Sequence, residues 1–380
     1  MYSVYQHWDP LKVCVVGRSY PPEFYSWITI PHVRSLFEKI AIETEEDFQR
    51  IIKKLEEFGV KILRPELLPF EPINGKFIPP PMTPRDHTVM IGDKFYINGH
   101  GSTFKTFYNS VKDPSWPDCE TLDNFENLPN FIKNECRRLH NLDNFREFSQ
   151  YKKIYDNVEQ QNNSIFYELD QNVNGAMVSR IGKDLYFGTD HYDQDQTNFK
   201  TLIDNHFTTT RNHIVNTGGH GDGVYCPVCP GLIISLHDIP TYADTFPDWE
   251  VVYLPGQSWA RVRNFSKLKM KNQGRWWIPG FEQDQDVIDV VETWLNHWTG
   301  YVEETVFDVN MLVINEQNVI VNNYNKQVFD AFKRHNITPH IINFRHRYFW
   351  DGGIHCITSD LHRGGTMQDY FPDYKETQFV

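Results

Sequence analysis

Apolar and polar positions along this chain follow two different periods. Leu11 to Val16 is a short apolar run and predicts a strand. From Thr44 to Phe58, the residues Phe48, Ile51, Ile52 and Leu55 recur at helical spacing and predict an amphipathic helix. Thr44 is the expected N-cap, with Asp47 three residues on, and Gly59 is the expected stop. Val60 to Leu63 then reads as extended chain. Glu66 to Pro84 is proline-rich and reads as irregular, as far as the pair Arg85-Asp86.

One pattern recurs. Thr88 to Ile97 is two short apolar runs around Gly92-Asp93-Lys94, and Met177 to Phe187 repeats the shape. Val309 to Val321 does so again. Each predicts a hairpin. The last is followed by a predicted helix from about Lys326 to His335, with Val328, Phe329 and Phe332 on one face, and by a predicted strand from His340 to Phe344. Strand, strand, helix, strand makes a module, and its recurrence suggests a ring of small α/β units rather than a doubly wound sheet. Elsewhere the pattern is weaker. Leu128 to Leu139 and Asp284 to Trp298 are helix candidates. Ser258 to Phe281 is basic and tryptophan-rich, which reads either as nucleic-acid contact or as a solvated loop.

The 380 residues are 40% hydrophobic and 15% aromatic, enough for a substantial core and too much for disorder. A net charge of -13 argues against a general nucleic-acid or anionic-membrane surface, and favours the solvated-loop reading of the basic stretch. The first ten residues lack the basic and apolar regions of a signal peptide, and no apolar run approaches transmembrane length. The six cysteines are scattered, with no disulfide-framework spacing. A reducing cytoplasm is the expectation, where Cys356 would remain a free thiol.

Cys356 follows Gly352-Gly353, which permits unusual backbone angles and close approach of a ligand, with Tyr348 and Trp350 able to wall a pocket. A thiolate there could be stabilised by His355, by a bound cation or by local N–H groups. His220 and Asp222 sit in the Gly-rich stretch 218–223 and share a face if that stretch is extended. Histidine can protonate a leaving amine and later deprotonate an attacking one. Asp222 can hold a guanidinium or orient the imidazole. Asp86 could pair with substrate nitrogens or form a salt bridge with Arg85. A thiol, an imidazole and separated carboxylates are the parts needed to attack a guanidinium carbon. Cys226 and Cys229 have a zinc-like gap but lack a second close pair. Asp190 to Asp195 lacks the spacing of a calcium loop and reads as a polar rim.

With these residues in view, the chain resembles the arginine:glycine amidinotransferase family, within the guanidino-modifying enzymes that include arginine deiminases. The resemblance covers nearly the whole chain. It begins at Trp8-Asp9-Pro10-Leu11 and Val15-Val16-Gly17-Arg18, passes through Pro84-Arg85-Asp86 and His220-Gly221-Asp222, and is densest from Val309 to Tyr370. It implies one amidinotransferase-like domain over residues 1–380, folded as a five-bladed α/β propeller of pseudo-fivefold ββαβ modules with a central active site. It also implies ping-pong transfer without cofactor or metal. A cysteine matching Cys356 takes the amidino group from arginine, a histidine matching His220 shuttles protons, and carboxylates matching Asp86 and Asp222 grip the guanidinium. Arg85, Gly219 and His355 flank these positions and are expected at the substrate. The partners implied are a small guanidine donor and an amine acceptor; the sequence does not fix an oligomeric state, and a homodimer is suggested only by the prevalence of dimers among soluble enzymes.

Three departures stand out. The resemblance implies an aspartate, paired with the histidine, five residues before the glycine matching Gly182, where this chain has Met177; Asp170 or Asn174 would have to serve instead. The arginine expected after the His-x-Asp motif is missing, leaving His237 as the nearest cation. A serine pair before the last hairpin is replaced by Glu303-Glu304, which favour an ammonium and repel a carboxylate. The expectation is therefore an amidinotransferase with an acceptor other than glycine, as in relatives that make guanidino groups in specialised metabolites and toxins. The competing readings are a deiminase-type hydrolase and a weakly active guanidine-binding homologue.

Overall fold

The computed structural model describes residues 1–67, 77, 79–98, 150–162, 167–169, 174–189, 194–217, 220–236, 242–254, 278–295 and 308–373. The chain begins with β1 (Leu11–Val16), then α1 (Pro31–Glu57), then β2 (Lys61–Leu63), which lies parallel to β1 with Val13 opposite Lys61. The helix starts well before Thr44. Pro31 occupies its first turn, where a missing N–H costs nothing. Val33, Phe37, Ile40 and Ala41 carry the buried face back from Phe48. Thr44 is inside that face, where its hydroxyl accepts the Trp350 indole N–H at 2.9 Å, and buried Asp47 accepts the Arg345 N–H at 2.8 Å. The helix ends as expected. Gly59 has φ 72°, the Val60 N–H reaches the Leu55 carbonyl at 3.1 Å, and the Gly59 N–H reaches Glu56 at 2.9 Å.

Four further sheets follow. β3 (Thr88–Ile91) and β4 (Lys94–Asn98) form a hairpin, and β5 (Tyr167–Leu169) lies parallel to β4. β6 (Val178–Ile181), β7 (Asp184–Thr189) and β8 (Arg211–Asn216) repeat that arrangement. So do β9 (Tyr225–Cys229), β10 (Leu232–Ser235) and β11 (Glu250–Tyr253). In the last, β12 (Leu312–Asn315) and β13 (Asn318–Val321) lead through α2 (Lys326–Arg334) to β14 (Thr338–Ile341). The three predicted hairpins thus match three antiparallel pairs. The helix predicted from Asp284 to Trp298 is found as far as it is described: Asp284 caps Gln285–Val290, Val291–Leu295 continues as a π turn, and the rest of the predicted span lies outside the described residues. β15 (Thr358–Arg363) returns antiparallel to β1.

The closed five-bladed propeller is not found. The described strands make five separate three-stranded sheets, and no sheet closes or curls on itself. Hydrogen-bonded ladders stop at the sheet boundaries; Val4 to Gly92 and Gln6 to Ile181 are isolated bridges. The architecture is an α/β fold of several small mixed sheets and helices. No helix of the described residues is long and apolar enough to cross a membrane.

Side chains join what the ladders leave apart. Asp360 on β15 is fully buried and meets three guanidinium groups: Arg85 at 2.7 Å, Arg180 at 2.8 and 3.0 Å, and Arg363 at 2.6 Å. Arg180 also donates to the Met90 carbonyl at 2.7 Å, and Arg363 to Val313 at 2.9 Å. One carboxylate therefore ties β15 to β3, β6 and β12. Burial alone would raise its pKa, but the arginine charges hold it well below the usual carboxylate range.

Candidate active site

Cys356 lies in the turn that feeds β15. Asp351 enters that turn in the left-handed region at φ 48°, and the Ile357 N–H closes on the Gly353 carbonyl at 3.1 Å. The thiol is 2% exposed. Asn310, just before β12, grips the turn. Its Oδ1 accepts the His355 N–H at 2.8 Å and the Cys356 N–H at 3.3 Å, and its Nδ2 donates to Cys356 Sγ at 2.9 Å.

Asp222 faces the same sulfur. Residues Gly221–Gly223 form a tight 3-10 turn rather than extended chain, so His220 and Asp222 are not brought together by strand alternation. Asp222 Oδ2 is 3.6 Å from Cys356 Sγ and accepts His355 Nδ1–H at 2.6 Å. Oδ1 is buried and has no hydrogen-bond partner among the described residues. Burial would raise the Asp222 pKa, yet the His355 hydrogen bond and the nearby His355, His220 and Arg85 charges lower it on balance. His355 is itself lowered, by burial first and by Arg85 second, against Asp222, which raises it. Behind the pair is a cavity of about 10 Å³ lined in part by His7, Ser179, Asp222, His355 and Arg363.

His220 stands at the mouth of the turn. Its Nε2 is 2.9 Å from Asn174 Nδ2, and its Nδ1 is 4.0 Å from Asp86 Oδ1. Asn174 caps the turn Gly175–Met177, accepting the Ala176 and Met177 N–H groups at 3.0 and 3.2 Å. This turn packs directly on the Arg85 segment: a Cβ at Gly175 would stand 2.4 Å from the Arg85 carbonyl oxygen. Only glycine allows that approach, which sets Asn174 beside His220.

Comparison with known proteins bears on this arrangement. No family model matches the chain. It is 24% identical to the mitochondrial glycine amidinotransferase of Xenopus laevis over 152 residues, 40% of this chain and 28% of that protein. It is 20% identical to the L-arginine:L-lysine amidinotransferase of Pseudomonas savastanoi pv. phaseolicola over 152 residues, 32% of that protein. The matches thus span about a third or less of these curated relatives. Among solved structures, an amidinotransferase of the saxitoxin biosynthetic pathway from Microseira wollei superposes with a TM-score of 0.60 at 17% identity, over 97% of this chain and 99% of that one. The inosamine-phosphate amidinotransferase of Streptomyces griseus gives 0.59 at 16%, over the same shares. The chain is thus similar over part of its sequence to amidinotransferases, and it shares the fold of two amidinotransferases of known structure.

Of the residues expected to act in a guanidino-modifying enzyme, Cys356 meets Asp222 at 3.6 Å and His220 meets Asp86 at 4.0 Å, and the charge of His220 reaches Asp222. Arg85 does not pair with Asp86. It is fully buried, bonded to Asp360 and to the Thr358 carbonyl at 3.1 Å, and lies under the site rather than in it. His355 likewise turns its Nδ1 to Asp222. Met177 is half-buried, and Asn174, eight positions before Gly182, is the residue that meets His220. Gly219, His237, Glu303 and Glu304 lie outside the described residues, as does Asp170. The zinc-like cysteines diverge: Cys226 lines the rear cavity, whereas Cys229 Sγ is 3.8 Å from His335 Nδ1. Asn310 was not anticipated. Its signal in the sequence is a lone amide in the apolar run Val309 to Ile314, and a buried amide needs partners.

Proposed function

We propose that the protein is an amidinotransferase that moves the amidino group of L-arginine, or a related guanidine, to an amine other than glycine. The observation that carries this reading is the 3.6 Å approach of Cys356 Sγ to Asp222, whose second oxygen is a buried acceptor without a partner among the described residues. A guanidinium N–H would satisfy that oxygen, which is costly to leave unpaired. The same contact holds the guanidinium carbon against the sulfur.

In the first half-reaction the sulfur forms a bond to the guanidinium carbon. The bond from that carbon to the substituted nitrogen breaks, and the thiol proton passes to the departing amine. Asp222 and Asp86 accept N–H groups of the positive amidino unit throughout. In the second, an incoming amine attacks the amidino-cysteine, loses a proton and expels the sulfur as thiol. His220, 4.0 Å from Asp86, is a group that can carry these protons. The covalent intermediate divides one difficult exchange into two easier ones. Water in place of the amine would release urea; a deiminase differs already in its first half-reaction, where ammonia leaves and the substituted nitrogen stays on the carbon, so that water then gives a ureido product.

Intact-protein mass spectrometry after mixing with arginine, quenched in acid, tests the proposal. An amidino adduct is expected on the wild-type chain and not on Cys356→Ala, and a non-glycine amine should discharge it into a new guanidine. An adduct discharged by water alone would make the protein a hydrolase. Discharge by glycine but by no other amine would overturn the acceptor assignment.

A further inference from the structure

Asn174 has an orientation that its own contacts determine. Its Oδ1 already accepts the N–H groups of Ala176 at 3.0 Å and Met177 at 3.2 Å. Flipping the amide would turn its NH₂ group against those two donors. The hydrogen-bond network therefore assigns Oδ1 to the turn and Nδ2 to His220. Nδ2 is a donor only, and it stands 2.9 Å from His220 Nε2. Nε2 must then be the bare, accepting nitrogen. In the neutral ring the proton lies on Nδ1, the nitrogen that faces Asp86 at 4.0 Å.

A proton carrier works by accepting and donating at one nitrogen. For Nδ1 to accept a proton it must first be bare, which moves the ring proton to Nε2. There it would point at the Asn174 NH₂ group, donor against donor. Asp86 and Asp222 are charged groups that act on His220, and both favour a proton on the ring. Neither relieves the opposition at Nε2. We propose that Asn174 is a positioning residue that locks His220 in the Nδ1–H tautomer, with Nδ1–H facing Asp86, and so restrains its use as a proton carrier. An aspartate at this position would do the opposite. The carboxylate introduced by Asn174→Asp would keep one oxygen on the Ala176 and Met177 N–H groups and offer the other to Nε2–H, leaving Nδ1 bare.

The inference rests on the amidinotransferase reading for its consequence, though not for its geometry. The experiment therefore has two readouts. Nitrogen-15 NMR of His220, assigned by loss of the signal in His220→Gln, is recorded on the full chain above the pH at which the ring is neutral. The wild type is expected to show protonated Nδ1 and bare Nε2, and Asn174→Asp the reverse. A bare Nδ1 in the wild type overturns the proposal on that chain alone, whether or not the variant folds. Formation of the amidino adduct is then timed in both. Asn174→Asp is expected to be faster by about tenfold or more, part of the roughly 10²- to 10⁴-fold that a placed acid–base group contributes. An inverted tautomer with an unchanged rate would refute the restraint on proton carrying. An inverted tautomer with no adduct in either protein would leave the lock standing and remove the proposed function instead.

Discussion

At Asn310 one amide holds the Cys356 turn and also reaches the Asp222 carbonyl. Its oxygen holds two main-chain N–H groups of the Cys356 turn while its nitrogen holds the sulfur. Asn310→Asp keeps the oxygen contacts but sets a carboxylate against Sγ. A like charge there disfavours the thiolate. We expect alkylation of Cys356 by iodoacetamide near neutral pH to slow by about tenfold, the effect of one pH unit in thiolate availability. Peptide mapping would measure it, and an unchanged rate would separate Asn310 from control of the sulfur. This residue was illegible in the sequence for a physical reason. The chain marks Cys356, His220 and Asp222 by glycines around reactive groups, and Asp86 by the prolines before it. Asn310 stands in an apolar run, and its partners are 45 and 46 positions away. The same holds for Arg85. Local reading offers Asp86 as its partner, whereas the fold supplies Asp360.

Elements were easier to read where their signals are local. The left-handed stop at Gly59 follows from composition alone, and the structure adds the two reverse hydrogen bonds that fix it. Gly59→Ala places a Cβ in that conformation with nothing within 4 Å to clash, so the cost is conformational only. Urea denaturation should show a loss of about 1–2 kcal/mol. A loss near zero would mean that the helix end relaxes. The start of the same helix was misread because Thr44 and Asp47 look like cap residues. They are polar groups turned into the core, where Trp350 and Arg345 satisfy them. A buried polar residue with a distant partner cannot be told from a cap by periodicity. Hairpins suffer less, since alternation and a central glycine are both local, as at Gly92 and Gly182.

On the scale of the whole molecule, the arrangement of sheets was beyond local reading. Recurrent modules suggested a closed ring, but the described ladders form separate sheets tied through side chains, above all at Asp360. Asp360 and Arg85 are 275 positions apart, and no periodic pattern links them. Asp360→Asn would leave three guanidinium groups buried without their anion. Breaking a buried ion pair costs about 3–5 kcal/mol, and chemical denaturation should show at least that loss. The folded-state pKa of Asp360 is depressed, so its stabilisation is complete above the unfolded value of about 3.9 and disappears as pH falls through the folded value. The wild type should lose stability on acidification below about pH 4 more steeply than Asp360→Asn. Equal slopes would mean that other carboxylates govern acid unfolding.

The same cluster has a consequence for selectivity among cations. Three guanidinium groups surround one carboxylate, so the base of the site carries surplus positive charge. Arg85 projects part of that field onto Asp222 and His355. A compact divalent ion feels such a field in proportion to its double charge. A planar organic cation spreads its single charge and spends it on directed hydrogen bonds. On the proposed function, calcium and magnesium should therefore leave the rate of amidino-adduct formation almost unchanged.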